Sequence, residues 1–270
     1  MSSNNNRSVM QWLNLVAILA MILVNILANA LPINGRFTYE ISDSYPNLFT
    51  PPGFVFSIWF VIYVLLITFA FYQFRISERD KDYLKQIGPL YVIGCLINIF
   101  WIFIFHYSYG NSGLFIVTEL LIAGLLIVLL LKYVRLGIGI REVPRSEKLG
   151  VHLPVSVYLG WISLATIAST ASVLNLLIPS IPLDVQQFWT AAVIVIALLI
   201  TILMIVLCHD FGFALVVIWA SYGIASANSA VPIIFFAAAG AVVVVALLLL
   251  LYPLLRKTGY AEYYKLKLSE

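Results

Sequence analysis

The residues that could do chemistry are few, and most lie in apolar segments. Glu119 is the only acidic residue well inside such a segment. A carboxyl group in hydrocarbon must face other helices, pair with a donor or take up a proton. Two interpretations follow: a neutral carboxyl that hydrogen-bonds to a neighbouring helix, which we favour, or a proton or cation site.

The histidines and cysteines do not form a site by their spacing. The three histidines are far from one another, as are the two cysteines, and no Ser-His pair or metal-ligand cluster occurs inside an apolar segment. We expect His106 at the membrane interface and Asp210 as the cap of the helix that follows it. The sequence therefore predicts no metal site and does not indicate an enzyme.

Two apolar segments combine aromatic rings with a few polar groups. One opens with Pro51-Pro52-Gly53, where proline in the first turn costs no helical hydrogen bond. The other carries Asn98 and Trp101, three residues apart and therefore on one helix face. Asn98 near mid-membrane needs a partner, and Trp101 offers an apolar wall with one N–H donor. The aromatic residues that follow the prolines are Phe54, Phe56 and Trp59.

A third segment, residues 152–176, is unusually rich in small and polar side chains. Helical spacing places Trp161, Ala165, Ser169 and Ser172 on one face. An adjacent face includes Thr166 and Thr170. Small residues and hydroxyls suit close helix packing, and they equally suit a face that lines an internal pocket with Trp161 as one wall. Both interpretations stay open.

These residues must be positioned by membrane-spanning helices. The 270 residues are 63% hydrophobic and 10% charged, with a mean hydropathy of +1.03, which excludes a soluble enzyme, a disordered chain and a nucleic-acid binder. A helix crosses the hydrocarbon in about 20 residues, and the sequence predicts an all-α, polytopic membrane protein. Eight spans are predicted: 12–31, 52–74, 86–106, 112–132, 152–176, 187–208, 211–228 and 231–255. The seventh is the weakest because serines and an asparagine dilute it.

The basic residues predict the orientation of these spans. With the N-terminus inside, fourteen of the fifteen Lys and Arg lie on the cytoplasmic side and only Arg36 lies outside. Both termini are then cytoplasmic, and residues 32–51 form an outside loop that is either a lid or an aromatic belt at the interface. We expect the first span to be retained rather than cleaved near Ala30, because Asn14, Asn25 and Asn29 form a polar stripe that suits a bundle helix.

The aromatic and polar segments together resemble the TspO/MBR family, the tryptophan-rich sensory proteins related to the peripheral benzodiazepine receptor. The resemblance covers about residues 10–177. The family's Pro-Pro-Gly-aromatic-x-Phe motif is matched by Pro51, Pro52, Gly53, Phe54 and Phe56. Its Asn-x-x-Trp motif is matched by Asn98 and Trp101, and its glutamate in helix four by Glu119. Its Trp-x-Ser-x-Ala-Thr motif is matched by Trp161, Ser163, Ala165 and Thr166. Phe54 stands where the family usually has Trp, and Val173-Leu174 replaces an aromatic–Arg pair.

The resemblance implies a fold and a ligand. It implies a five-helix core (12–177), beyond which three additional helices (178–256) indicate a longer branch of the family. With the orientation predicted from the basic residues, the N-terminus (1–11) and the tail (257–270) are cytoplasmic, in what we expect to be a bacterial cell membrane. The resemblance further implies an intramembrane pocket for a hydrophobic planar ligand, a porphyrin, haem-type tetrapyrrole or sterol, in transport or sensing. We expect Phe54, Phe56, Trp59, Trp101 and Trp161 to stack on the ligand, with Asn98, Ser163 and Thr166 orienting it.

Other functions stay open beside this one. A proton-coupled transporter of another class would use Glu119, and the small-residue faces also permit a purely structural membrane partner. An enzyme, such as a tetrapyrrole-degrading one, is the least favoured. Some family members are dimers, and the oligomeric state of this chain stays open. The expected partners are the lipid bilayer and a hydrophobic small molecule, with no nucleic acid.

Overall fold

Apolar runs form helices in a membrane because hydrocarbon offers backbone groups no partners except one another. The structure is a computed structural model that describes residues 2–75 and 82–257. In that part of the chain the regular secondary structure is helical, and no strand is present. The helices are α1 (Ser2–Ala30), α2 (Thr38–Asp43), α3 (Ile58–Tyr72), α4 (Asp82–Ile87), α5 (Leu90–Tyr107), α6 (Ser112–Leu136), α7 (Arg145–Glu147), α8 (Leu153–Leu177), α9 (Leu183–Cys208), α10 (Phe211–Ala227) and α11 (Pro232–Lys257). Tighter 3₁₀ turns cover Ile33–Gly35 and Gly53–Ser57, and a wider π turn covers Lys148–His152.

Each predicted span has a helix, in order α1, α3, α5, α6, α8, α9, α10 and α11. Within the described residues, seven helices are long and apolar enough to cross a membrane, and α10, at 17 residues, is shorter. At 1.5 Å per residue α10 spans about 25 Å, and it matches the span predicted as weakest. The polytopic helical membrane fold is confirmed. The basic residues Arg79, Lys81, Lys265 and Lys267, and the tail from 258 onward, lie outside the described residues.

Local chemistry explains where two of these helices begin. Asn111 accepts a hydrogen bond at Oδ1 from the backbone N–H of Leu114 and so caps α6. Asp210 accepts one at Oδ1 from the N–H of Phe213 and caps α10, which confirms the predicted cap. Asp210 is 5% exposed, and burial raises the pKa of its carboxyl group.

Helix α8 lies at the centre of the bundle. It packs against α3, α6 and α10, while α1 packs against α5, and α9 and α10 pack against α11. The approach of α8 to α10 depends on glycines: a Cβ added at Gly160 would lie 3.2 Å from Cβ of Val216, and one at Gly212 would lie 3.2 Å from Cβ of Ser156. One apolar core runs from Ile18 in α1 to Ala241 in α11. The division at residue 177 stays a prediction.

Candidate functional site

A cavity of about 80 Å³ lies between α3, α5, α6, α8 and α10, under the segment that follows α1. We call it the central cavity. Six of the twelve residues predicted for the site line it: Pro51, Phe56, Trp59, Trp101, Trp161 and Ala165. The other lining residues are Thr38, Ser42, Phe49, Thr50, Phe105, Phe115, Ile122, Leu164, Ala168, Ser169, Ser172, Ala220 and Ile224.

Aromatic rings form the walls of the central cavity. The Trp161 ring meets Phe56 edge to face at 5.8 Å between centroids and meets Trp59 at 6.2 Å. On the other side Trp101 stacks on Phe105 at 5.0 Å. Trp161 is 4% exposed, and its indole N–H has no hydrogen-bond partner among the described residues. A buried donor without a partner is costly in a folded protein, so this wall carries an unused hydrogen-bonding group.

The lid, residues 33–50 including α2, closes the cavity at one end. Two of its aromatic residues, Tyr45 and Phe49, are buried, while Phe37 and Tyr39 are exposed. Side chains of the loop therefore line the cavity, as expected of a lid, while an aromatic belt at the membrane interface stays a prediction. Burial raises the pKa of Tyr45, so its hydroxyl stays protonated and donates to the carbonyl of Ser108.

Hydrogen bonds fasten the lid to three helices. The amide of Asn47 donates to Oγ of Ser172 in α8 at 2.8 Å, and that hydroxyl donates to the carbonyl of Tyr45 at 2.6 Å. Asn228, at the end of α10, donates to the carbonyl of Leu48 at 3.1 Å. The third attachment, in α5, is a histidine.

His106 holds the start of the lid. Its Nδ1 lies 3.1 Å from the carbonyl of Ile33 and its Nε2 lies 3.1 Å from the hydroxyl of Thr38. His106 has no exposed surface, and its place at the membrane interface stays a prediction. The lid covers it, and lid groups satisfy both ring nitrogens.

Two further cavities adjoin the site. The α1–α3 groove, about 680 Å³, shares Thr38, Phe56, Trp59 and Trp101 with the central cavity, so these side chains form a partition between the two. The α8–α9 groove, about 560 Å³, lies on the opposite face of α8 and is lined mainly by apolar side chains of α6, α8 and α9, with a few hydroxyl groups.

A family model described as TSPO-like protein matches residues 11–251 of this chain. The chain belongs to the TSPO-like family. The match extends through α9 and α10 into α11, so these helices lie within it. Comparisons with curated proteins and with solved structures gave no match. In the described part of this TSPO-like chain, no group of three or more His, Cys, Asp or Glu could hold a metal ion.

The face of α8 predicted from helical spacing is brought together in the TSPO-like structure. Trp161, Ala165, Ser169 and Ser172 all line the central cavity, which supports the interpretation of this face as the wall of a pocket. The two predicted residues Ser163 and Thr166 line the α8–α9 groove. Their hydroxyls donate to carbonyls one turn back in α8.

Asn98 lies next to the cavity without lining it and joins three helices. Its Oδ1 accepts from the amide of Asn25 in α1 at 2.7 Å, and its Nδ2 donates to the hydroxyl of Tyr158 in α8 at 2.9 Å. Asn98 has no exposed surface. The expected need for a partner is confirmed, and the partners come from protein.

Phe54 and Pro52 lie outside the cavity and face α10. Phe54 is 49% exposed and meets the rings of Trp219 and Tyr222. A Cβ added at Gly223 would lie 3.5 Å from Cδ of Pro52. The first motif therefore joins the start of α3 to α10 as well as supplying Pro51 and Phe56 to the cavity.

Glu119 lies between α6 and α8 and does not line the central cavity. The hydroxyl of Thr170 in α8 donates to its Oε1 at 2.7 Å. This is the favoured arrangement, a carboxyl group bonded to a neighbouring helix. Its Oε2 is enclosed and has no hydrogen-bond partner among the described residues.

Sequence reasoning missed two contributions to the cavity wall. Thr38, Ser42 and Thr50 reach it from the lid, and Ala220 and Ile224 reach it from α10. The length and aromatic content of residues 32–51 indicated a lid but not which side chains point inward. No sequence signal placed α10 against the core, because that contact depends on glycines far away in the chain.

Proposed function

We propose that this TSPO-like membrane protein binds a hydrophobic planar ligand, of the porphyrin or other tetrapyrrole class, in the central cavity, in transport or sensing. The observation that carries the proposal is the wall of the cavity. Trp59, Trp101 and Trp161 meet there, and the indole N–H of Trp161 is buried without a partner among the described residues.

The wall suits such a ligand in two ways. Flat aromatic rings offer stacking surface, and aromatic pairs contribute about 0.5–1.5 kcal/mol beyond burial. The N–H of Trp161 and the hydroxyls of Ser169 and Thr50 supply a few polar groups in an otherwise apolar cavity, the usual composition of a small-molecule site. A carbonyl or carboxyl substituent on the ligand would accept from Trp161.

Binding requires movement of the cavity wall. The central cavity measures about 80 Å³, whereas sites for drug-sized ligands run to roughly 300–1,000 Å³. The α1–α3 groove measures about 680 Å³ and is separated from the cavity by Phe56, Trp59 and Trp101. We expect the ligand to displace the lid or to rotate this partition, which joins the two spaces.

Protoporphyrin IX is the probe for this proposal. Titrated into the purified protein in lipid nanodiscs, it is expected to give a saturable change in its own absorbance and a parallel loss of tryptophan fluorescence. Reading the porphyrin absorbance separates binding from changes in the tryptophans themselves. A linear response at every concentration, as in empty nanodiscs, would refute the proposed function.

Porphyrin efflux from proteoliposomes distinguishes transport from sensing. Flux that depends on the protein indicates transport, and binding without flux indicates sensing.

The topology is a second part of the proposal: both termini are cytoplasmic and the lid faces outward. Arg36 in the lid supports it as the single basic residue on that side, and cysteine labelling from each side of intact cells tests it.

The alternative is a proton-coupled transporter in which Glu119 takes up the proton. The observation in its favour is the enclosed Oε2 of Glu119, which no described residue contacts by a hydrogen bond. This function predicts pH-dependent uptake that Glu119→Gln abolishes. If Glu119→Gln binds porphyrin like the wild type and the wild type shows no pH-dependent uptake, the transporter function is excluded and the ligand-binding function remains.

A further inference from the structure

The face of α8 turned away from the central cavity borders an open channel. Helix α9 makes its principal contacts with α10 and α11, and a gap of about 560 Å³ remains between α9 and the α6–α8 pair. Leu126 and Leu130 of α6, Leu159 of α8, and Ile200 and Met204 of α9 line its deep part. An apolar space of this kind does not hold water stably, so in a bilayer a hydrocarbon chain fills it.

The channel becomes polar toward the end of α8. A second cavity of about 380 Å³ shares Ala171 and Trp189 with the deep part, and a third of about 440 Å³ continues to the lid. Asn175 and Gln186 line both of these outer cavities. From Leu159 to Asn175 is 16 residues, about 24 Å of helix, which is longer than one leaflet of a hydrocarbon core about 30 Å thick.

Within the described residues, the polar end of the channel has no basic side chain. Neither Lys nor Arg of residues 2–75 and 82–257 lines any of the three cavities, and the head region offers neutral amides and hydroxyls. Phosphate and carboxylate groups are usually bound by Arg or Lys. The channel therefore suits an uncharged head and one long apolar tail.

We propose that the channel between α8 and α9 is a binding site for one uncharged long-chain lipid of the monoacylglycerol class. The tail lies along α8 toward Leu159, and the hydroxyl and ester groups of the head lie at Asn175 and Gln186. Ala171 lines both the deep and the middle cavity and so forms the neck of the channel. This site lies on the other face of α8 from the central cavity, and Phe49 and Ser172 line both the channel and the cavity.

Photolabelling tests the site with a monoacylglycerol that carries a diazirine in its chain. In nanodiscs of the whole protein, labelled peptides are expected to map to α8 and α9. Excess unlabelled monoolein should compete at least tenfold better than oleate. Ala171→Trp, which fills the neck, is expected to lower labelling about tenfold or more. The matched control is Leu199→Trp, which adds the same ring at an exposed α9 position outside the channel and should leave labelling unchanged.

Two readouts keep the result decisive. Protoporphyrin binding and the thermal midpoint show whether Ala171→Trp is folded, and Thr166→Leu provides a milder filling variant within the same channel. Gln186→Leu is expected to remove the preference for monoolein over oleate while retaining labelling. Labelling that Ala171→Trp and Thr166→Leu both leave unchanged, labels outside α8 and α9, or equal competition by oleate would overturn the assignment.

Discussion

The two faces of α8 border spaces of opposite character. One face, with Trp161 and Ser169, closes a cavity of about 80 Å³ walled by aromatic rings and covered by a lid. The other, with Thr166 and Ala171, opens onto about 560 Å³ lined mainly by aliphatic side chains. Residues three positions apart on one helix thus enter different environments. The smaller space has aromatic walls and a buried Trp161 N–H that no described residue pairs by a hydrogen bond. It is therefore the better candidate for selective recognition, although it has the smaller volume.

The largest expected effect comes from separating α10 from the cavity. A Cβ at Gly223 would overlap Val55 and lie 3.1 Å from Cβ of Pro51, and neither neighbour has a flexible end. We expect Gly223→Ala to lower the free energy of unfolding by about 1–3 kcal/mol and to abolish porphyrin binding, measured by thermal unfolding and by titration.

The matched control for that variant is Gly240→Ala in α11. Apart from its chain neighbours and its own helix backbone, no atom of the described residues lies within 4 Å of a Cβ there. The same methyl group should therefore leave porphyrin binding unchanged and should raise the free energy of unfolding by about 0.5–1 kcal/mol, the usual gain from alanine in a helix. Equal behaviour of the two alanine variants would show that the contact between α10 and the start of α3 does not shape the cavity.

Removal of the asparagine network should have the next largest effect. Asn98→Leu removes the acceptor for one N–H of Asn25, whose amide still donates to the carbonyl of Met21, and it removes the donor to the hydroxyl of Tyr158. The expected cost is about 1–3 kcal/mol for an unsatisfied buried group. A double-mutant cycle with Asn25→Leu should be strongly non-additive in thermal unfolding, because the two residues share one hydrogen bond. Additive effects would contradict the network.

The lid attachment gives a local effect. His106→Ala removes the groups that hold Ile33 and Thr38, so amide hydrogen exchange should increase across residues 33–50 and stay constant in α6 and α8. Tyr107→Ala, at an exposed position next in the chain, is the control and should not affect the lid. Exchange that rises equally in both variants would indicate a general loosening of α5 instead.

The smallest effects distinguish the two faces directly. Ser169→Val narrows the central cavity and should weaken protoporphyrin binding several-fold. Thr166→Val replaces a hydroxyl that bonds only to the carbonyl of Ile162 in the described structure, and porphyrin affinity should be unchanged. A larger loss of protoporphyrin affinity in Thr166→Val than in Ser169→Val would contradict the proposed difference between the two faces of α8.

The helices and one face of the site could be predicted from sequence because they follow from local rules. Hydrocarbon requires long apolar helices, and the 3.6-residue period placed Trp161 and Ser169 together. The rest depends on contacts between distant segments. Asn228 meets Leu48 across 180 residues, and His106 meets Ile33 across 73. The period also could not tell which side of α8 would face the core, so Ser163 and Thr166, predicted as ligand residues, lie on the α8–α9 groove instead.

The aromatic central cavity, and not the α8–α9 groove, is proposed to bind the planar ligand. Trp161→Ala removes an indole ring from the wall of the central cavity, and Trp189→Ala removes one from the α9 wall of the α8–α9 groove. Titrated with protoporphyrin IX and read by porphyrin absorbance, Trp161→Ala is expected to raise the Kd about tenfold or more, since about 1.4 kcal/mol corresponds to tenfold. Trp189→Ala should bind like the wild type. The opposite pattern, or equal loss in both variants, would contradict the account.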